Sequence, residues 1–308
     1  MALIHDVKVE FAERSARVKS VDVHPTEPWI LTSMHSGRLS IWNYESKALI
    51  NSIEVTELPV RSAKFIAQKE WIISGADDKF IRVFNDKTSE KIIEFEAHTD
   101  YIRCVVVHPT LPFVLSASDD HSVRLWDWAN GWSCARTFEG HSHYVMQVAF
   151  NPKNQSIFAS ASLDGTVKTW NLNSPEPIAT LDAHPKGVNC VNYFMSNDKL
   201  CLLSGSDDHT TKVWDYESKS CVATLEGHTN NVTTVNIHPE FPIIITGSED
   251  ETIRIWNTVS YKIEKTLNQG LGRVWAIEFV KGSSQVVIGY DEGHFIGKII
   301  SSSDHLEE

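Results

Sequence analysis

Residues 116–126 read SASDDHSVRLW, and the phrase returns down the chain in altered form. Its relatives end in IWN, VFN, LWD, TWN, VWD and IWN, placing an aromatic ring at Trp42, Phe84, Trp126, Trp170, Trp214 and Trp256. Successive steps are 42, 42, 44, 44 and 42 residues, the self-similarity at near-fixed period that marks a repeat architecture. One further step of 42 reaches Lys298 in IGYDEGHFIGKII, which keeps the pattern without the aromatic, so seven units are expected. Within each unit, short β-branched runs alternate with Gly, Asp, Asn and Pro clusters, the composition of strands joined by tight turns. HP or NP dipeptides (His24-Pro25, His108-Pro109, Asn151-Pro152, His238-Pro239) punctuate the first turn of several units.

Composition agrees with one large all-β fold. The 308 residues are 42% hydrophobic, enough to bury a sizeable core. The opening MALIHDVKVEF lacks the basic-then-apolar pattern of a signal peptide, and no run reaches the ~20 apolar residues of a spanning helix. Five cysteines without CxxC spacing argue against a disulfide framework or a zinc knuckle and lead us to expect a reducing, cytoplasmic setting. A net charge of −12 disfavours nonspecific nucleic-acid binding. GxGxxG, Walker, GxSxG and HExxH motifs are absent, so neither an enzyme nor a cofactor is expected. Fourteen histidines are tempting metal ligands, yet seven fall at repeat positions, and no metal is expected.

Two further marks recur. Ala97-His98, Gly140-His141, Ala183-His184 and Gly227-His228 stand 28 to 30 residues ahead of a tryptophan, and Asp78, Asp120, Asp164, Asp208 and Asp250 stand six ahead of the ring. In these the chain resembles the WD-repeat family over nearly its whole length. The resemblance implies an all-β, seven-bladed WD-repeat β-propeller over residues 1–300, its ring closed by the N-terminal strand DVKVEF. The tail SSSDHLEE (301–308) fits no blade, and its Leu-Glu is expected to be vector-derived. Histidine, aspartate and tryptophan are expected to share a buried polar network in blades three to six. Blade one has Ser36 in place of the aspartate and blade two has Phe84 in place of the tryptophan.

The repeat accounts for Asp120 but not for Asp119 beside it. In WD-repeat propellers that extra position lies on the top face near the channel mouth, as do two positions at the start of each innermost strand. Blade by blade they are Arg17, Lys19 and His35; Arg61 and Asp77; Tyr101, Arg103 and Asp119, with Asp100 ahead; Tyr144, Met146 and Leu163; Asn189 and Asp207; Asn231, Thr233 and Glu249; Arg273, Trp275 and Asp291. Bases gather on the contiguous blades seven, one, two and three, and acids on blade three and beyond, so a bipolar face is expected. Some of these charges can neutralise one another instead, as Arg61 with Asp77 or Arg273 with Asp291. Clustered bases suggest a bound anion, and a peptide with a free C-terminal carboxylate and nearby lysines suits such a face.

Longer phrases are more specific than the repeat marks, because they include loops the fold does not dictate: RVKSVDVHPTEPWIL (17–31), LPVRSAKFIA (58–67), FEAHTDYIRCVVVHPTLP (95–112), FEGHSHYVMQVAFNPK (138–153), HPEFPIIITGSED (238–250) and LGRVWAIEFVKGSSQVVIGYDEG (271–293). In them the chain resembles the amino-terminal propellers of the coatomer beta-prime family of the COPI vesicle coat. The resemblance implies a non-enzymatic subunit that reads C-terminal dilysine signals (KKxx or KxKxx) of membrane cargo for Golgi-to-ER retrieval. It further implies coatomer subunits as partners and peripheral, cytoplasmic placement on Golgi and COPI membranes. Carried over, Arg17, Lys19 and Arg61 would hold the cargo carboxylate and Asp100, Asp119 and Asp207 its lysines, flanked by His35, Tyr101, Arg103, Tyr144 and Arg273. His35 departs from the tyrosine common in that family, and the family's longer members continue into a helical solenoid. A different WD-repeat scaffold, such as a ubiquitin-ligase substrate receptor, stays open as the alternative.

Overall fold

The computed structural model describes residues 5–196 and 198–301. Among them, 28 strands form seven four-stranded antiparallel sheets, with two single-turn 3-10 helices at Ala67–Lys69 and Trp128–Asn130. Six sheets are built from four consecutive strands, and the seventh borrows strand His5–Arg14 from the start of the chain to finish the blade of Val274–Ser301. That pairing runs from His5↔Ser301 to Arg14↔Gly293, so the ring is closed by main-chain hydrogen bonds as the sequence leads one to expect. Residues 302–308, nearly all of the expected tail, lie outside the described residues.

Each blade buries both faces against its neighbours. The apolar clusters alternate from blade to blade, as in Leu31, Leu39, Ile41, Val60, Ala63 and Ile72 between blades one and two. A blade alone would leave these faces wet, and stacking in a closed ring covers all of them.

The repeat residues form the expected relay. In blade three the Trp126 indole donates to Ser116 Oγ (2.8 Å), His98 Nε2 lies 2.6 Å from the same oxygen, and His98 Nδ1 lies 2.8 Å from Asp120. Every atom is satisfied if Trp N–H donates to serine, serine O–H to Nε2, and Nδ1–H to the carboxylate. The same chain links Trp170–Ser160–His141–Asp164, Trp214–Ser204–His184–Asp208 and Trp256–Thr246–His228–Asp250. Burial alone would raise the Asp120 carboxyl, but hydrogen bonds from His98 and Ser122 hold it well below its usual range. Blade one lacks the histidine and aspartate, and its Trp42 Nε1 is buried without a partner. In blade two, Asp78 pairs with Arg82 at 2.8 Å instead.

The HP and NP dipeptides are turn devices. His24, His108 and His238 each accept through Nδ1 from backbone N–H groups two and three residues on, and Asn151 Oδ1 does the same. An accepting imidazole nitrogen must be unprotonated, and burial pushes His238 down to about 4.

Blade seven corrects the repeat arithmetic. Trp256 stands opposite Ile244, and the corresponding Val286 stands opposite Gly297, one residue short of Lys298. A Cβ at Gly297 would lie 2.7 Å from Cε2 of the fully buried Phe295 and 2.5 Å from Val7. The aromatic has moved two places rather than vanished, and its ring lies against the site a larger side chain would need.

Ser160→Ala is expected to strand both the Trp170 indole and His141 Nε2, costing about 2–4 kcal/mol in urea unfolding. Thr32→Ala at the equivalent place in blade one leaves no such pair and is expected to cost less than half as much. Equal losses would remove the relay as a source of stability. A second expectation concerns His294, wholly buried with both ring nitrogens unpaired and held down to about 4 by burial. Its folded value lies below its unfolded one, so its contribution is whole above about 6.5 and drains away as pH falls toward 4, on the order of 3 kcal/mol in all. Acid unfolding of His294→Phe should begin at lower pH than that of the parent; an unmoved acid limb would show that His294 does not set it.

Candidate functional site

The innermost strand of every blade carries one residue out of register at its start. The shifts fall between Val18/Ser20, Val60/Ser62, Ile102/Cys104, Val145/Gln147, Val188/Cys190, Val232/Thr234 and Val274/Ala276. The residues at the bulges are therefore Lys19, Arg61, Arg103, Met146, Asn189, Thr233 and Trp275. A bulge re-aims its side chain, and all seven line a cavity of about 650 Å³ at the channel mouth, together with Arg17, His35, Asp207 and Glu249.

A second ring of seven residues faces the first. The backbone N–H of His35, Asp77, Asp119, Leu163, Asp207, Glu249 and Asp291 donates to the carbonyl of the residue two places ahead of the bulge. Five of the seven are acids, and they clasp the bases. Arg61 forks onto Asp77, with Nη2 2.7 Å from Oδ2. Arg103 forks onto Asp119 with both contacts at 2.6 Å. Asp291 takes Arg17 at 2.6 Å, Arg273 at 2.8 Å and the Trp275 indole at 2.8 Å. Asn189 donates to Asp207 at 2.7 Å, and Arg273 also reaches Glu249 at 3.4 Å.

The acid beside Asp120 thus has a structural partner. Asp119 is only 4% exposed and both its oxygens are held by Arg103, so the expectation of a carboxylate standing open to a ligand is not met. Nor is the expected bipolar face, because acids and bases interleave around the rim. Asp100 is half-buried and accepts from the Tyr101 N–H at 2.8 Å, with no cation on it among the described residues. Tyr101 and Tyr144 lie beside the arginines, their rings 5.9 Å from Arg61 and 5.7 Å from Arg103.

Blade one breaks the pattern. Where five blades place an acid it has His35, so Lys19 has no carboxylate within ion-pair distance among the described residues. Its Nζ lies 3.3 Å over the Trp275 ring. Burial first, then Arg61, Arg17 and Arg103, push this amine down to about 7. His35 is itself lowered, by burial and then by Arg17, Lys19 and Arg61, which keeps it a poor substitute for an acid and adds no further charge. Trp275 was foreseen on the face but not as the platform beneath Lys19; its shared register with Lys19, Arg61 and Arg103 is the signal that could have shown it.

A family model described as IFT122 first beta-propeller matches residues 17–297. The chain belongs to that propeller family. The chain is also 55% identical over 299 residues to Coatomer subunit beta' of Homo sapiens, 54% to that of Rattus norvegicus and 66% to Coatomer subunit beta'-1 of Arabidopsis thaliana. These alignments cover 97% of this chain and 32–33% of each relative, so the chain spans about a third of the length of the curated relatives it matches. The coatomer beta-prime resemblance read from the loops is borne out by these relatives, and the seven-bladed propeller by the sheet topology and the family model.

His35→Asp would give blade one the acid that five of the other six positions carry. Titrating the Lys19 side chain by NMR should give a midpoint near 7 in the parent and one in the ordinary lysine range in His35→Asp. A parent midpoint already in the ordinary range would sink the description of Lys19 as a desolvated, unpaired base.

Proposed function

We propose that this propeller is the cargo-reading part of a COPI coat subunit, and that its channel mouth holds the free C-terminus of a dilysine tail. The observation that carries the reading is Lys19, set among Arg17, Arg61 and Arg103 with no carboxylate of its own. A ring that supplies an acid to its other bulged bases and withholds it from one leaves a place for an anion. A terminal carboxylate has the charge and the two acceptor oxygens to take it, through charge-assisted bonds from Arg17, Lys19 and Arg61. The coatomer beta-prime names of the relatives point the same way.

In this reading the lysines of the tail lie toward blades three to five. Asp100 is the open carboxylate there. Asp119 acts from within its Arg103 pair, and Asp207 keeps an acceptor beside Asn189. Tyr101 and Tyr144 flank the aliphatic stems. Exposed ion pairs contribute only about 0.2–1 kcal/mol each, so several act together to reach micromolar affinity, about −7 to −8 kcal/mol, which weakens with salt. The remainder of the reading follows from the relatives: other coatomer subunits as partners, and peripheral attachment to Golgi and vesicle membranes from the cytoplasm.

Calorimetry with a KKxx tail peptide should show micromolar binding that is lost when the terminus is amidated. It should fall at least about tenfold, or 1.4 kcal/mol, in Lys19→Ala and in Asp119→Ala, the latter because Arg103 loses its acid and repels the incoming lysine. Binding must also follow pH. A bound carboxylate raises the Lys19 value above that of the free chain, so affinity is full below about 7 and declines as pH climbs past it. Equal affinity for free-acid and amidated peptides would overturn the reading.

A further inference from the structure

The Lys19 amine is unusual in kind as well as in position. Most of the described lysines are surface groups. Lys64 is interior, but Asp22 at 2.7 Å and Glu278 at 3.6 Å keep it charged. Lys219 is partly desolvated, yet its Nζ is spent on the Tyr216 carbonyl and no guanidinium stands by. Lys19 alone among these combines a desolvated nitrogen, access from the channel mouth, and arginines on several sides.

We propose that Lys19 is a carbamate-forming site, adding carbon dioxide reversibly at Nζ so that the carbamate fills the anion position among Arg17, Arg61 and Arg103. The neutral amine's lone pair forms an N–C bond to the carbon of CO₂. One C=O π pair moves onto oxygen, and the nitrogen gives a proton to solvent. Nothing is oxidised or reduced, and acid reverses the step.

Two features of the site favour product over reactant. At neutral pH an amine titrating near 7 is about half unprotonated, against roughly one in a few thousand for an ordinary lysine. The reaction also turns a base that its neighbours repel into an anion that they attract, so the arginines favour the adduct twice. An uncharged acyl group would gain only the first advantage, which is why carbon dioxide fits better than a simple acyl donor. The adduct would place on the protein the anion that an incoming carboxylate otherwise supplies, and would exclude that carboxylate. The inference rests on the cation cluster of the free chain and does not require the dilysine reading.

The test is to equilibrate the chain with ¹³C-bicarbonate at neutral pH, trap carbamates with a trialkyloxonium salt and map them by peptide mass spectrometry. The trapped ester should sit on Lys19 at about tenfold or more the occupancy of any other lysine, as expected for a scarce neutral amine elsewhere. It should vanish in His35→Asp, where the added acid recharges the amine, and in Lys19→Arg, which keeps a long basic side chain but offers no neutral amine. No adduct at Lys19, an adduct spread evenly over the surface lysines, or one undiminished in His35→Asp would overturn the proposal. An adduct on Lys19 in bicarbonate, with no binding of the tail peptide in bicarbonate-free buffer, would overturn the dilysine reading alone, and peptide binding in that buffer without any adduct in bicarbonate would overturn this one alone.

Discussion

The innermost strand of each blade holds one residue more than its partner can pair, and the position of that residue organises the charged mouth of the channel. Because the same bulge sits two residues into seven equivalent strands, seven side chains converge on one end of the channel. Closure of the ring by His5–Arg14 keeps those strands at fixed spacing. The blade relays act from behind: they lock the loops that precede the inner strands to the turns that follow the next strand, through contacts such as His98 to Asp120 and Thr99 N–H to the same carboxylate. Core packing, buried polar chain and bulge are successive layers supporting one rim.

Electrostatics at that rim are set by sequence choices at a second, equally regular position. An arginine at a bulge in a narrow mouth would be strongly repelled by its neighbours, and the acid opposite it counters that repulsion. Arg61–Asp77 and Arg103–Asp119 are forks with both acid oxygens engaged, which offsets part of the repulsion while both guanidiniums still act on Lys19. Asp291 serves two arginines and an indole at once, which leaves the blade seven to blade one junction richer in positive charge than a one-to-one pairing would. Blade four, with Met146 opposite Leu163, takes no part in the ladder. The local field therefore peaks where blade one lacks an acid.

Much of this was legible in the chain itself, and the gaps have physical causes. Period, strand content, ring closure and the relay residues follow from spacings that survive loop variation. Lys298 was mistaken for the tryptophan position because the last unit is one residue shorter, a difference that only strand register exposes. The extra aspartate was visible as an extra, but not its partner. Arg61 with Asp77 and Arg273 with Asp291 were foreseen as pairs that could neutralise one another, and both form, but Arg103 with Asp119 was not, although it repeats the 16-residue offset of Arg61 and Asp77 that the bulge explains. His35 was read as a departure at a contact surface, when its larger effect is the carboxylate it withholds from Lys19.

That blade one has lysine rather than arginine at this bulge follows from the same reasoning. A guanidinium cannot shed its proton at any physiological pH, so an arginine facing Arg17, Arg61 and Arg103 without an acid would hold the full repulsion in the free protein. An amine can relax. Desolvated over Trp275 and crowded by cations, Lys19 gives up part of its charge when alone and regains it when an anion arrives. The unpaired position is thus tolerable in the free state and strongly charged in the bound one, a combination open to lysine and closed to arginine. The choice also explains the neutral partner: an aspartate in place of His35 would hold the amine permanently charged and permanently occupied.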